Sequence, residues 1–244
     1  MIALVRSELL KLRTTRTALG LVIGMVALIV LVTLLNGLAT GDPFLIERKN
    51  QFGLLANGSI ASAFAAILGL MSMTTEFRHG TIRPTLLAAP RRTRVLVAKL
   101  VATTIFSFGL GAVGILLSFT LGKICLDARG MPDLLTGSDV ALVIGGAIAA
   151  SALWGAFGVG LGAAIRNQVG AIVGLLIWSL FVESIVFALV PSVGRYLPGE
   201  AASVLTQIET QHQLPVLAGI LLFLAYIVAA AAAGAFVTRQ RDVS

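Results

Sequence analysis

The sequence predicts an all-α membrane protein in which six transmembrane helices form a single domain over residues 1–244. Hydrophobic residues make up 57% of the chain and charged residues only 12%, about half the charged fraction of soluble domains. The apolar residues also occur in long blocks of roughly 20, the length that crosses a bilayer core. Composition and patterning therefore exclude a soluble globular protein.

The predicted spans follow one another with short connections. They cover residues 17–38, 53–74, 95–121, 140–165, 169–190 and 215–237. The first span is too long for the hydrophobic core of a signal peptide, and five more follow it, so we interpret it as a permanent span. The third is the longest, and we expect it to tilt or to extend beyond the membrane.

The distribution of positive charge predicts the orientation of the chain. If the N-terminus lies inside, 13 of the 18 Lys and Arg residues fall in cytosolic parts and five in outer loops. Because membrane proteins concentrate Lys and Arg in cytosolic loops, both termini are expected in the cytosol. The same rule accounts for the net charge of +7 without nucleic acid as a partner. Arginine outnumbers lysine 14 to 4, which favours a GC-rich bacterial source and so a bacterial cytoplasmic membrane.

Residues 1–16 predict an amphipathic helix that lies on the membrane surface. Met1, Val5 and Leu9 recur at helical spacing, whereas Arg6 lies largely on another side of the helix. Basic side chains on such a helix would meet the anionic lipids of the inner leaflet.

A strongly basic connection, residues 76–94, predicts a short helix between the second and third spans. Gly80 permits a sharp exit from the second span, and Thr81 can cap the helix. Pro84 falls in the first turn, where a missing N–H costs little, and Pro90 ends the helix. Since a helix of about two turns is not stable alone, we expect it to pack on a partner.

The same connection resembles the signature of the membrane subunits of type-2 ABC transporters. That signature has an acidic residue, a basic residue, Gly-Thr, a leucine pair, a proline and basic positions. The matching residues are Glu76, Arg78, Gly80, Thr81, Leu86, Leu87, Pro90, Arg91, Arg94 and Lys99. The resemblance implies that residues 76–94 form the cytoplasmic coupling helix, which docks on a separate ATPase. Residues 1–16 also resemble the family's connecting helix, whereas Pro84 departs from the pattern and changes the expected helix length.

The resemblance implies the membrane subunit of an ATP-driven exporter. Two copies, or one copy with a similar subunit, would form the translocation path, and separate ATPase subunits would bind ATP and Mg. The chain itself offers no P-loop, because Gly122 and Lys123 are followed by Ile124 where Ser or Thr is required. We therefore expect neither enzymatic activity nor a cofactor in this chain.

Glu183 is the only acidic residue within a predicted span. A carboxylate in the membrane is costly unless it is protonated, paired or facing water, so we predict a role in the translocation path. Ser179 stands one turn earlier on the same face and is expected to donate a hydrogen bond to Glu183. Attachment between helices near the outer interface is the alternative role.

Two further features bear on assembly and on the outer surface. Gly-x-x-x-Gly spacing, which lets membrane helices approach closely, occurs at Gly20/Gly24, Gly158/Gly162 and Gly170/Gly174 and gives weak support for a dimer. The longest outer loop, residues 191–214, contains a predicted short helix over 200–211.

Two other classes of function stay open at this stage. A secondary transporter driven by an ion gradient would need carboxylates within the membrane, and Glu183 is one. A non-transporting membrane scaffold or immunity protein would share the same fold. The single cysteine, Cys125, excludes an intrachain disulfide.

Overall fold

The computed structural model describes residues 1–81, 92–165, 167–206 and 213–240, with the side chains of residues 42, 43, 92 and 238–240 excepted. Its α-helices are α1 (Ile2–Thr14), α2 (Arg16–Leu34), α3 (Asp42–Leu45), α4 (Arg48–Leu55), α5 (Ala61–Arg78), α6 (Arg92–Ala128), α7 (Gly137–Ala164), α8 (Gln168–Ile177), α9 (Glu183–Leu189), α10 (Pro191–Gly194), α11 (Pro198–Ser203) and α12 (Val216–Gln240). These ranges contain no strand, which confirms the all-α prediction.

Three short turns of other helix types make the spans continuous. A π-helical turn, Leu35–Ala39, extends α2, and a second, Trp178–Val182, joins α8 to α9. A 3₁₀ turn, Ala56–Ile60, joins α4 to α5. Each turn changes the number of residues per turn locally and so rotates the side chains that follow it.

Within the described ranges, six helical stretches are long and apolar enough to cross a membrane. They are Arg16–Ala39, Arg48–Arg78, Thr93–Ala128, Gly137–Ala164, Gln168–Leu189 and Val216–Val237. Each overlaps one predicted span, and the third is the longest at 36 residues. The chain is therefore a multi-pass membrane protein. An even number of spans returns the chain to its starting side, which we call the terminal face; it carries α1, the end of α5 and the start of α6.

Helix α7 lies at the centre of the bundle and packs most extensively on α5, α6 and α12. The contact with α5 depends on glycine. A Cβ added to Gly158 would overlap the carbonyl oxygen of Ala66, and one added to Gly162 would overlap that of Leu70. Because these glycines pack two helices of the same chain, this pair serves the fold of a single copy, and the dimer stays a prediction.

The other two glycine pairs lie on the outside of the bundle. An added Cβ at Gly20 or Gly174 meets no described atom within 4 Å, and Gly24 and Gly170 are exposed as well. Most of the surface of the first, fifth and sixth spans is also exposed. These spans therefore form the outer wall of a single copy.

The face opposite the terminal face is held by polar contacts between connections. Gln51 is fully buried and donates from Nε2 to the carbonyl oxygens of Leu45 at 3.0 Å and of Pro132 at 2.8 Å. Arg48 pairs with Asp139 near the start of α7, with Nε 3.1 Å from Oδ2. The connections before the second and fourth spans are thereby tied together.

The connection after the fifth span, predicted as the outer loop, folds back onto the bundle. The helix predicted over 200–211 begins earlier, as α11 at Pro198, and ends at Ser203, while residues 207–212 lie outside the described part of the chain. Ala201 and Ala202 are buried against Phe157 and Phe223. The short helix is thus attached to the bundle by apolar packing.

The sole cysteine is also part of this packing. Cys125 is a free thiol with only 3% of its surface exposed, and it lies against Gly37 of the first span. A buried thiol in apolar surroundings is unreactive, so Cys125 acts as a small packing residue.

Gly158→Ala should destabilise the protein, because the added methyl group forces α5 and α7 apart. Overpacking of this kind costs about 1–3 kcal/mol in the free energy of unfolding. Gly20→Ala is the matched control: it adds the same atom to an exposed helix position, where alanine is favoured over glycine by up to about 1 kcal/mol. Unfolding in detergent micelles, followed by tryptophan fluorescence, measures both. Equal stability of the two variants would contradict the α5–α7 contact.

Candidate functional site

Four charged side chains meet on the terminal face, and we call them the four-charge cluster: Glu8, Lys11, Glu76 and Lys99. Lys99 is at its centre, with only 1% of its side chain exposed. Its Nζ lies 2.7 Å from Oε2 of Glu8 and 2.8 Å from Oε1 of Glu76. Three helices, α1, α5 and α6, therefore meet at one ammonium group.

Lys11 closes the cluster on its exposed side. Its Nζ lies 2.7 Å from Oε1 of Glu8 and 2.8 Å from Oε1 of Glu76, and its side chain is 47% exposed. Lys99 donates its third hydrogen bond to the carbonyl oxygen of Ser72 at 3.1 Å. All three donors of the buried ammonium are thus used, and the formal charges of the cluster balance.

Local sequence brings each member to this point. Glu8 and Leu12 are one turn apart on α1, and both are buried, so the inner face of α1 is partly acidic. Glu76 lies in the last turn of α5, and Lys99 lies in the second turn of α6. A buried charge without its partner is strongly destabilising, so each member depends on the others.

Glu8 and Lys11, the two members outside the spans, have pKa values set by burial on one side and by ion pairs and hydrogen bonds on the other. Burial raises the pKa of Glu8, but the charge of Lys99 and the hydrogen bonds from Lys11 and Lys99 outweigh it and hold the pKa below 4.5. Burial lowers the pKa of Lys11, but hydrogen bonds to Glu76 and Glu8 raise it above 10.5. The stabilisation from Glu8 is lost as the pH falls below 4.5, and that from Lys11 is lost as the pH rises above 10.5.

One oxygen of the cluster has no partner among the described residues. Oε2 of Glu76 is buried and accepts no hydrogen bond there, although Oε1 of the same carboxylate accepts two. A buried unsatisfied carboxylate oxygen is costly and calls for a donor.

The residues predicted to couple the chain to an ATPase fall into three groups. Glu76 and Lys99 are buried in the four-charge cluster, so their charged groups contact each other and α1 rather than a surface open to a partner. Arg78, Gly80, Thr81 and Arg94 are exposed on the terminal face. Leu86, Leu87, Pro90 and Arg91 lie outside the described residues, as does Pro84.

The turn after the second span is as predicted. Helix α5 ends at Arg78, and Gly80 has φ +68°, in the left-handed region that favours glycine. Helix α6 begins at Arg92. The chain thus leaves α5 at a glycine turn four residues after Glu76 and is helical again from Arg92, seven residues before Lys99.

Two members of the cluster, Glu8 and Lys11, are absent from the predicted site. Glu8 lies one turn before the buried Leu12, so an acidic residue on the apolar face of a membrane-surface helix was the available signal. An acidic group on that face needs a buried basic partner. The sequence alone does not show that Lys99 is that partner.

Glu183 is held by groups of its own chain near the connection that follows the fifth span. Its side chain is buried, with 3% of the residue exposed. Oε1 accepts a hydrogen bond from Nε1 of Trp178 at 2.6 Å, and Oε2 accepts one from the backbone N–H of Gly199 at 2.6 Å. Glu183 therefore joins the fifth span to the start of α11.

Ser179 does not bond to Glu183 as predicted; it donates to the carbonyl oxygen of Leu175 at 2.9 Å. The π-helical turn Trp178–Val182 explains the change, because a π turn aligns residues five apart and so brings Trp178 beside Glu183. A Cβ at Gly199 would overlap the Glu183 carboxylate, so α11 can approach Glu183 this closely only with glycine at that position. These contacts are those expected if Glu183 attaches one helix to another, which is the alternative to a role in the translocation path.

Comparison of the chain with protein-family models finds no match, and comparison with curated proteins finds none either. Within the described ranges, no group of three or more His, Cys, Asp or Glu side chains is placed to hold a metal ion. The functional argument therefore depends on the four-charge cluster and on the segment that it flanks.

Lys99→Met should destabilise the protein by about 3–5 kcal/mol, because it leaves two carboxylates buried with only Lys11 to balance them. Methionine keeps the length and apolar stem of the side chain, so packing is largely preserved. Lys49→Met is the control, since Lys49 is exposed on α4 and outside the cluster. Limited proteolysis near residues 1–16 should also show α1 released in Lys99→Met. Two equally stable variants would contradict the structural role of the cluster.

Glu183→Leu should destabilise the protein more than Glu183→Gln, because leucine removes both acceptors and leaves the Trp178 and Gly199 donors unsatisfied, at about 1–3 kcal/mol each. Glutamine keeps one acceptor oxygen. Asp127→Asn, which changes an exposed acidic residue near the end of α6, is the control for loss of an acidic group. Thermal unfolding in micelles measures the series. If Glu183→Gln matches the wild type in stability but abolishes transport, the carboxylate serves the translocation path instead.

Proposed function

We propose that this chain is the membrane-spanning subunit of an ATP-driven exporter of the type-2 ABC class. The observation that supports this most is the four-charge cluster at the base of residues 76–94. Glu76 at one end of that segment and Lys99 just after the other are 2.8 Å apart and are joined to α1 through Glu8. The family resemblance and the buried cluster share two residues, Glu76 and Lys99.

The cluster gives the segment a mechanical connection to the membrane part. A short helix that receives force from an ATPase transmits it only if its ends are fixed to the spans. The ion pair between Glu76 and Lys99 fixes the end of α5 to the start of α6, and Glu8 adds α1. A displacement of the segment is thereby passed to two spans and to the surface helix together.

The charge of the terminal face suits a partner. Arg78 and Arg94 are exposed near the two ends of the segment. Arg91 belongs to the same basic group in the sequence. Such side chains pair with acidic groups around a groove that holds an apolar helix face. Leu86 and Leu87 are the apolar anchors that we assign to the ATPase groove.

A second permease copy, or a similar subunit, is part of the proposal. The first and fifth spans are mostly exposed in a single copy, and each carries an exposed glycine pair, Gly20/Gly24 and Gly170/Gly174. Exposed small residues let a second helix approach closely in lipid. These surfaces support a dimer whose subunit contact would line the translocation path.

The proposal also states where the chain lies in the cell and which subunits bind ATP. The terminal face would lie on the cytosolic side of a bacterial cytoplasmic membrane, with both termini in the cytosol, because the basic residues gather there. ATP and Mg would be bound by the separate ATPase subunits. A transporter driven by an ion gradient is less well supported, since the carboxylate of Glu183 is already bonded to Trp178 and Gly199.

Replacing Leu86 and Leu87 by aspartate should abolish copurification with a co-expressed ABC ATPase and stop ATP-stimulated export, because two charges would be buried in an apolar groove. The membrane part should stay folded, with unchanged thermal unfolding. Ile46→Asp, which adds a charge to an exposed apolar site on the other face, is the control and should keep the ATPase. Unchanged copurification and export in the double variant would refute the assignment of this segment.

A further inference from the structure

A cavity of about 120 Å³ lies beside the four-charge cluster, between α1, the start of α2 and α5. Its two ends differ in chemistry. One end is formed by the cluster itself. The rest of the wall is mainly apolar: Leu12, Ala18, Leu21, Leu68 and Met71 line it, together with the hydroxyl residues Thr15, Thr17, Ser72 and Thr75. A ligand that fits both ends must be amphipathic.

The charged end has hydrogen-bonding capacity that the described residues leave unused. Oε2 of Glu76, a residue that lines the cavity, is buried and has no donor among the described residues. Lys11 also lines the cavity and uses two of its three N–H groups, on Glu8 and Glu76. Apart from the threonine hydroxyls of the wall, the charged end thus offers one acceptor and one donor that no described residue uses, although its formal charges balance.

The position of the cavity selects a lipid over a soluble metabolite. It lies where the surface helix α1 ends and the first span begins, at a break marked by Thr15 with ψ 132°. Thr15 and Thr17 line the cavity and are exposed, so it opens at the level where a bilayer has its headgroups. A volume of about 120 Å³ suits a small headgroup but not a whole lipid, whose chains would stay in the bilayer.

We propose that this cavity binds a phospholipid whose headgroup ends in a hydrogen-bond donor. The donor, an ammonium or a hydroxyl, occupies the free acceptor of Glu76, and a phosphate oxygen accepts from Lys11. A choline headgroup has a phosphate but no N–H or O–H, so it leaves the Glu76 acceptor unsatisfied. The site does not depend on an ATPase or on transport.

The test compares three lipids with identical acyl chains, bearing ethanolamine, glycerol or choline headgroups, on the purified full-length protein. Native mass spectrometry measures the lipid retained, and thermal unfolding in micelles measures the stabilisation. Since a hydrogen bond to a charged group is worth roughly tenfold in affinity, ethanolamine or glycerol lipid should be retained about tenfold over choline lipid. A stronger effect of ethanolamine identifies the ammonium as the ligand. Because the glycerol lipid also carries a net negative charge, a stronger effect of glycerol identifies the hydroxyl only if filling the cavity removes it.

Variants then locate the effect. Ala18→Phe fills the cavity from α2 and should abolish the preference among headgroups. Ala27→Phe makes the same change on the exposed side of α2 and should keep it. If Ala18→Phe does not fold, Leu21→Trp fills the same cavity from the same helix. Equal retention of all three lipids by the wild type, or a preference that persists in a folded cavity-filled variant, would overturn the proposal.

Discussion

The arrangement of the terminal face follows from the burial of one ammonium group. Lys99 is 1% exposed, and such a charge is stable only with carboxylates beside it. The two carboxylates come from α1 and α5, so the surface helix cannot move away from the spans without exposing or unpairing a charge. The glycine turn at Gly80, the start of α6 and the cavity beside α1 are all positioned by this requirement. The helices α1, α5 and α6 are therefore held together at the terminal face by one group of charges.

Elsewhere the fold depends on close packing between helices rather than on charged groups. Apolar side chains gain little by leaving lipid for protein, so helices in a membrane associate through packing and hydrogen bonds. Helix α7 follows this rule with Gly155, Gly158 and Gly162, which bring its backbone against α5 and α6. A hydrogen bond between Ser62 and Ser151, at 3.2 Å, lies in the same packed layer. The centre of the molecule is thus built from its smallest residues.

The sequence predicts the spans well, because each is a long apolar block with its own polar ends. The motif also identifies Glu76 and Lys99, yet it does not show that they are buried or that Glu8 completes the group, since that contact spans 91 positions along the chain. The partner of Glu183 was predicted from regular α-helical spacing. The π turn before it replaces Ser179 with Trp178, and nothing in the residue pattern marks where an α-helix gains an extra residue per turn.

The length of α6 has a consequence for both surfaces of the membrane. At 37 residues and 1.5 Å per residue, α6 is about 55 Å long, well beyond the bilayer core of ~30 Å. Lys99 fixes it near one end, and Ala128 is 29 residues further on, about 44 Å away. A tilt of about 5° at Lys99 moves Ala128 sideways by about 4 Å, which is the separation of two carbon atoms in contact. A small change in the tilt of α6 at Lys99 is therefore large enough to change which residues Ala128 contacts on the other side of the membrane.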